Sequence, residues 1–191
     1  GYEAALALYN AGAKLIIACR NKGKAEKAIN EMKTHEGTGS LEVGILDLAS
    51  LDSIRQFAET FIKQHPQLHL LINNAGVATP PSSKTSEGYE LQFGVNFLGH
   101  FALTGLLYPL LQSTPGSRVV TLSSNGYQNA VIDFGNLKSE KDYNPLREYR
   151  QSTLANIIFS IELDRKIKAK HHQVISNSAK HGANNNKLTQ Q

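Results

Sequence analysis

Short apolar runs alternate with helical patterns along this chain, and the alternation restricts the fold more than any other feature. Five runs predict strands, at Lys14–Arg20, Leu41–Leu48, Leu68–Ile72, Ser117–Leu122 and Val174–Ser176. Helical spacing predicts five helices, at Tyr2–Asn10, Gly23–His35, Ser50–Gln64, Ser86–Gln112 and Pro145–Lys170. Strands that alternate with helices pair in parallel through right-handed crossovers. The pattern therefore predicts an α/β fold with helices on both faces of a parallel sheet.

The apolar strands and the start of the chain make the predicted sheet type more specific. The strands are continuous apolar runs, as a sheet covered on both faces requires. A doubly wound nucleotide-binding sheet begins with a strand and a glycine-rich turn, whereas this chain begins with Gly1 and a helix. We predict a Rossmann-like, doubly wound parallel sheet in three αβα layers, truncated so that the first strand is missing. Residues 1–191 are expected to form one domain, with 180–191 a frayed tail.

Composition narrows the class of protein. Of the 191 residues, 40% are hydrophobic and 19% charged, which is typical of a globular protein. The net charge is +4, but no aromatic residues are interleaved with the basic ones near Lys166, so a solvated helix end is favoured over nucleic-acid binding. The lone Cys19 excludes an intrachain disulfide, and no metal-ligand set is predicted.

Targeting signals are also absent from the sequence. No signal peptide is visible, and no apolar run is judged long enough to span a bilayer. A cytoplasmic location is expected. A targeting segment ahead of Gly1 would change this expectation, so membrane association stays open.

The stretch from Ser117 to Thr153 carries candidate chemistry. A predicted strand ends in a turn at Ser123–Gly126, and Tyr149 then opens a helical pattern. Reactive groups lie at the carboxyl ends of strands in such sheets, where a serine can bind a substrate oxygen and a tyrosine can transfer a proton. A tyrosine with a pKa of about 10 needs a nearby cation to work near neutrality. One helical turn after Tyr149, Thr153 has no charge.

An ordered set of short motifs runs through the chain. They are Ala18-Cys19-Arg20-Asn21, Leu46-Asp47-Leu48, Asn73-Asn74-Ala75-Gly76, Val95–Phe101, Leu122-Ser123-Ser124, and Tyr149 with Leu154-Ala155-Asn156. Together they resemble the short-chain dehydrogenase/reductase family, and within it the retinol-dehydrogenase-like branch, from Gly1 to about Leu188. The resemblance implies an oxidoreductase that transfers a hydride between a nicotinamide cofactor and a carbonyl or alcohol. It suggests a retinoid- or lipid-like substrate and leaves a homo-oligomer open.

The resemblance also implies roles for four candidate catalytic residues. Ser124 would orient the substrate, with Ser123 the less favoured alternative, and Tyr149 would donate the proton. Asn96 would hold a water of a proton relay, and Thr153 occupies the position of the family's catalytic lysine. The residues alone also allow non-catalytic interpretations. A serine at the end of a strand commonly forms a turn, and a tyrosine like Tyr149 is more often a half-buried packing residue. An asparagine within a helix is usually solvent-facing or capping.

A second set of residues is assigned to the cofactor by the same resemblance. Its members are Gly1, Arg20, Asn21, Asp47, Leu48, Asn74, Ala75, Gly76 and Gly182. Arg20 suits the 2′-phosphate of NADP(H), whereas NAD would call for an acidic residue there. Lys24 would assist Arg20, although an ordinary surface lysine on a helix is the favoured interpretation. Asp47 would contact the adenine, or it would simply cap the helix that begins near Ser50.

Two departures from the family pattern support a rival hypothesis. Thr153 replaces the catalytic lysine, and His181-Gly182 stands where the family has Pro-Gly. Both positions are those at which the nicotinamide would rest. The alternative to an active enzyme is therefore a catalytically impaired binding or scaffold protein of this family, or an inactive fragment.

Overall fold

The computed structural model describes residues 1–180. The predictions for Gly182 and for most of the frayed tail lie outside the described residues. The chain divides into two compact units, Gly1–Asp47 and Leu48–Gln191. A single domain over residues 1–191 stays a prediction.

The first unit has two helices and two strands. The elements are α1 (Tyr2–Asn10), β1 (Lys14–Cys19), α2 (Lys22–Met32) and β2 (Ser40–Ile45). The two strands are parallel, with Lys14 opposite Ser40 and Cys19 opposite Ile45. Gly39 permits the close approach that starts β2, because a Cβ there would lie 2.3 Å from the Ala13 carbonyl oxygen.

The expectation that Lys14–Arg20 is a buried strand is wrong. Lys14 and Ala18 are exposed, and the rest of β1 is only half-buried. Within residues 1–180, β1 pairs with β2 alone, so its other edge has no neighbouring strand to cover it. The apolar composition of a run does not by itself determine how many elements pack around it.

The second unit contains the remaining elements. They are α3 (Leu51–Gln64), β3 (Leu70–Asn73), α4 (Leu91–Phe93), a π-helix (Gly94–Gly99), α5 (His100–Ser113), β4 (Arg118–Ser123), a 3-10 turn (Asn125–Tyr127), α6 (Pro145–Ala169) and β5 (Ile175–Lys180). The sheet order is β3-β4-β5, and both pairings are parallel. Leu111, Val119, Ile167 and Val174 form a core cluster beneath it. The α/β prediction with parallel strands is confirmed.

Several element boundaries differ from prediction, and two of the differences have a visible cause. The long helix begins at Leu91 rather than Ser86, because the Glu90 carboxylate accepts hydrogen bonds from the Gln92 and Phe93 amides at 2.9 and 2.7 Å. A bridge between Lys84 and Glu90 holds the preceding segment as a loop. β5 continues to Lys180, beyond the predicted end at Ser176, because it pairs along the whole of β4.

The helix Leu91–Ser113 corrects the expectation that no apolar run is long enough to span a bilayer. Its 23 residues are long and apolar enough to cross a membrane by length and composition, although half of its most apolar window is buried in the protein. Such burial is also found in the core helices of soluble proteins.

Candidate active site

Ser124 lies at the carboxyl end of β4, where the chain leaves the sheet. Its side-chain oxygen accepts a hydrogen bond from the Gly126 amide at 3.1 Å, which caps the 3-10 turn. The serine is therefore a turn former, as one interpretation predicted. Its own hydroxyl hydrogen has no acceptor within residues 1–180, so it remains available to a substrate oxygen.

Gly126 marks the point at which the predicted catalytic side chains meet. A Cβ on this glycine would lie 3.1 Å from Ser124 Oγ, 3.3 Å from Thr153 Oγ1 and 3.3 Å from Tyr149 Cε1. The structure thus brings Ser124, Tyr149 and Thr153 around one small cradle. In the part of the chain that the structure describes, the Tyr149 hydroxyl makes no hydrogen bond.

Thr153, which the sequence resemblance assigns to the position of the family's lysine, makes only a local contact. It is buried, and its hydroxyl donates a hydrogen bond to the Arg150 carbonyl at 2.8 Å. Threonine inside a helix commonly bonds back to the preceding turn in this way. Its one hydrogen is therefore committed to the helix, and it brings no charge to the cradle.

Two hydrogen bonds fasten α6 to the end of β4. Ser123 Oγ donates to the Thr153 carbonyl at 2.9 Å, and Asn156 Nδ2 donates to the Leu122 carbonyl at 3.0 Å. The Ser123 hydroxyl is thus used inside the protein. Of the two neighbouring serines, the geometry favours Ser124 as the one that can meet a ligand.

Asn96 is a buried clamp rather than a solvent-facing residue. It lies in the π-helix, a local form that often occurs at functional sites. Its Oδ1 accepts from the Val77 amide at 2.8 Å, and its Nδ2 donates to the Val77 carbonyl and to Ser152 Oγ, both at 3.0 Å. Both amide hydrogens are therefore used, and one lone pair on Oδ1 remains for a water.

Ser152 continues this chain of hydrogen bonds and was assigned no role from sequence. Its hydroxyl accepts from Asn96 and donates to the Tyr149 carbonyl at 2.8 Å. The π-helix is thus connected through two side chains to the helical turn that carries Tyr149. The spacing of three residues between Tyr149 and Ser152 was the only available signal, and it does not reveal the distant partner.

His100 is a buried neutral base next to this clamp. Its Nδ1 lies 2.9 Å from the Asn96 carbonyl oxygen, and because a carbonyl only accepts, Nδ1 must carry the hydrogen. Burial lowers the pKa of His100 from 6.5 to about 4. The imidazole is therefore uncharged at neutral pH and adds no cation to the site.

The cofactor candidates of the first unit lie at the ends of its helices and strands. Gly1 is the N-cap of α1, and Arg20 follows β1 as an exposed residue. Asn21 caps α2 by accepting a hydrogen bond from the Lys24 amide at 2.9 Å. Within residues 1–180, Arg20 makes no ion pair, so its guanidinium can receive an anion. Asp47 ends this unit.

The cofactor candidates of the second unit lie before α3 and after β3. The interpretation of Asp47 as the helix cap is wrong, because Ser50 caps α3 by accepting from the Ser53 amide at 3.3 Å. The Leu48 carbonyl oxygen lies against the π-helix, where a Cβ on Gly99 would come within 2.6 Å of it.

The stretch after β3 holds three further cofactor candidates, Asn74, Ala75 and Gly76. Asn74 and Ala75 are reached by solvent, and a Cβ on Gly76 would lie 3.3 Å from Asn96 Oδ1. This segment therefore lies beside the clamp.

A cavity of about 380 Å³ opens beside the first turns of α6. It is lined by Asn129, Ala130, Val131, Asp133, Asn144, Leu146, Arg147 and Arg150. Val131 is 78% exposed, and the nearby Phe134 is 80% exposed, so the segment offers apolar surface to a ligand. Sequence reasoning did not find this cavity, since its walls come from an irregular connection and a helix.

The comparison with known proteins identifies the family. The sequence model of short chain dehydrogenases matches residues 1–137. The chain belongs to this family. Membership confirms the resemblance stated from the motifs.

Individual relatives place the chain near the retinol dehydrogenases, as predicted. It is 44% identical to mouse retinol dehydrogenase 14 over 177 residues, which cover 87% of this chain and 53% of that protein. The chain spans about half the length of the curated relatives it matches. A solved protein from Mycobacterium paratuberculosis matches all of this chain and 66% of its own, with 37% identity and a TM-score of 0.86. The Rossmann-like short-chain dehydrogenase fold is thereby confirmed.

Solved relatives at lower identity share the fold and differ in cofactor. Pseudomonas aeruginosa RhlG, described as an NADP complex, has a TM-score of 0.77 at 20% identity and covers 100% of this chain and 71% of its own. A Burkholderia phymatum protein in complex with NAD has a TM-score of 0.70 at 18% identity, over 94% and 60% of the two chains. The family takes a nicotinamide cofactor of either kind.

Proposed function

We propose that this protein is an NADP(H)-dependent oxidoreductase that interconverts a carbonyl and an alcohol by hydride transfer. The observation that carries the proposal is the meeting of Ser124 and Tyr149 around Gly126 at the carboxyl end of β4. Both hydroxyls have hydrogens uncommitted within residues 1–180. Two hydroxyl donors on neighbouring side chains suit a carbonyl oxygen on which negative charge develops.

The chain's own residues would perform the proton half of the reaction. Ser124 donates a hydrogen bond to the carbonyl oxygen and holds it, while Tyr149 passes its proton to the same oxygen as the carbon is reduced. When bound, the nicotinamide supplies the hydride. The carbonyl gains a hydride at carbon and a proton at oxygen to become the alcohol, the cofactor is oxidised, and Tyr149 regains a proton from solvent.

Asn96 supports this proton transfer by holding the helical turn that carries Tyr149. Its hydrogen bonds to Val77 and Ser152 fix the turn of α6 that presents Tyr149. We assign it the task of holding the proton-relay water through the remaining lone pair on Oδ1.

Arg20 supports the choice of NADP(H). Its exposed guanidinium follows β1 without an ion-pair partner in the described residues, and a charge-assisted bond to a phosphate is worth about 1.5–3 kcal/mol. The full-length protein should bind NADPH at least roughly tenfold more tightly than NADH in a fluorescence titration. Arg20→Leu should remove this preference, while Arg55→Leu, which breaks an exposed ion pair with Asp52, should not. Equal dissociation constants for the two cofactors in the native protein would overturn the assignment.

The proposed substrate is retinoid- or lipid-like. The relatives are named retinol dehydrogenases, and the cavity beside α6 has Ala130, Val131 and Leu146 in its wall. A long apolar aldehyde such as retinal should therefore give a higher kcat/KM than a short aldehyde. The reverse order in steady-state assays would exclude this substrate class while leaving hydride transfer in place.

Thr153 favours a second candidate function, a catalytically impaired binding protein. Its hydroxyl is committed to Arg150 and it has no charge. An impaired enzyme should gain at least roughly tenfold in turnover from Thr153→Lys, the low end of what general acid–base catalysis contributes. Substantial turnover by the native protein would argue against impairment.

A further inference from the structure

A cation, Lys180, lies at the end of the sheet that carries Ser124. Lys180 is the last residue of β5 and pairs with Ser123 of β4, so both strands end at the same edge. Its Nζ donates a hydrogen bond to Asn125 Oδ1 at 3.3 Å. Asn125 is the residue between Ser124 and Gly126, the glycine around which the candidate catalytic side chains meet.

Lys180 is also available for a ligand. The side chain is exposed, and within residues 1–180 it forms no ion pair and contacts the neutral amide of Asn125. An ammonium group has three hydrogens, of which this contact uses one. Two donors and the full charge therefore remain at the carboxyl edge, where ligands of such sheets bind.

Two neutral side chains close to Ser124, those of Thr153 and Ser123, do not supply this charge. Thr153 is neutral, and its hydroxyl is used within the helix. Ser123 is neutral and bonded to the Thr153 carbonyl. A lysine has a long flexible stem and can deliver its charge from a neighbouring strand instead of from the helix.

We infer that Lys180 supplies the positively charged hydrogen-bond donor for the nicotinamide half of the cofactor, in place of a lysine at position 153. The inference rests on the proposed function, since it assigns a residue to the same site. A binding measurement separates the two claims, because 2′,5′-ADP carries the phosphate that Arg20 would bind but lacks the nicotinamide half.

The test compares the binding of NADPH and 2′,5′-ADP by calorimetry in the full-length native protein and in Lys180→Met. Loss of a charged hydrogen bond should weaken NADPH binding at least roughly tenfold and leave 2′,5′-ADP unchanged. Lys180→Arg should retain most of the affinity for NADPH. Lys170→Met removes the same charge at the end of α6, roughly 30 Å along the helix from Tyr149, and should change neither ligand.

A double variant tests whether a lysine at position 153 can take over the role of Lys180. Thr153→Lys added to Lys180→Met should restore NADPH affinity to within about threefold of the native value, because one charged donor suffices. Turnover of an aldehyde should fall in Lys180→Met and recover in the double variant.

Four outcomes would overturn the inference. They are unchanged NADPH binding in Lys180→Met, equal weakening of both ligands, an equal loss in Lys180→Arg, and failure of Thr153→Lys to rescue. Each leaves the proposed function standing if the native protein binds both ligands. A native protein that binds neither ligand would instead refute the proposed function, and the inference with it.

Discussion

Replacing Asn96 by aspartate tests the clamp that fixes the candidate catalytic helix. The carboxylate has nearly the same shape and can still accept from the Val77 amide, now 2.8 Å from Oδ1. It has no hydrogen to donate, so the bonds to the Val77 carbonyl and to Ser152 Oγ, both 3.0 Å, are lost. An oxygen then faces the Val77 carbonyl oxygen in a site where Asn96 is only 5% exposed.

The expected loss in the free energy of unfolding follows from these two lost hydrogen bonds. A buried polar group left without a partner costs about 1–3 kcal/mol, so Asn96→Asp should lower the free energy of unfolding by roughly 2–6 kcal/mol. Typical domains are stable by only about 5–15 kcal/mol, so the change should be large in a urea titration followed by circular dichroism.

The matched control is Asn177→Asp, the same change at an exposed position of β5. It should shift the free energy of unfolding by less than about 0.5 kcal/mol. If Asn96→Asp costs less than about 1 kcal/mol, or no more than the control, the clamp does not hold the helix and the reasoning fails.

Two further predictions concern neighbours of the clamp and the cradle. Because burial lowers the pKa of His100 to about 4, the unfolded chain takes up a proton between pH 6.5 and 4 that the folded chain refuses. The free energy of unfolding should therefore fall by up to about 3 kcal/mol over that range, and His100→Gln should flatten this slope in urea titrations at several pH values. An unchanged slope would contradict the assignment. Gly126→Ala places a Cβ 3.1–3.3 Å from three side chains and should lower aldehyde turnover at least roughly tenfold. Gly105→Ala, with open space around it, should leave turnover unaffected, and equal activity in both variants would count against the cradle.

Local signals in the sequence determined most of the secondary structure. Periodic apolar residues and polar caps gave the helices α3 and α6, whose caps Ser50 and Asn144 bond to amides two or three residues further on. The interactions that start and continue these helices lie within four residues, so they are readable from the chain itself. The π-helix was not readable, because it depends on distant contacts around Asn96.

The candidate catalytic residues were also named from sequence, since their order matches a family pattern. Their relation in space was not predictable. Ser124 and Tyr149 are separated by an irregular connection, and the anchoring of α6 on β4 by Ser123 and Asn156 contributes to bringing them together at Gly126.

The tertiary structure alone decided where the positive charge lies. The sequence placed an uncharged Thr153 at the family's lysine position and gave no reason to consider Lys180, which was expected in a frayed tail. Parallel pairing of β5 with β4 places Lys180 opposite Ser123, which lies 57 positions earlier in the chain. Which strands become neighbours depends on how helices pack across the sheet, and no local pattern of residues encodes that choice.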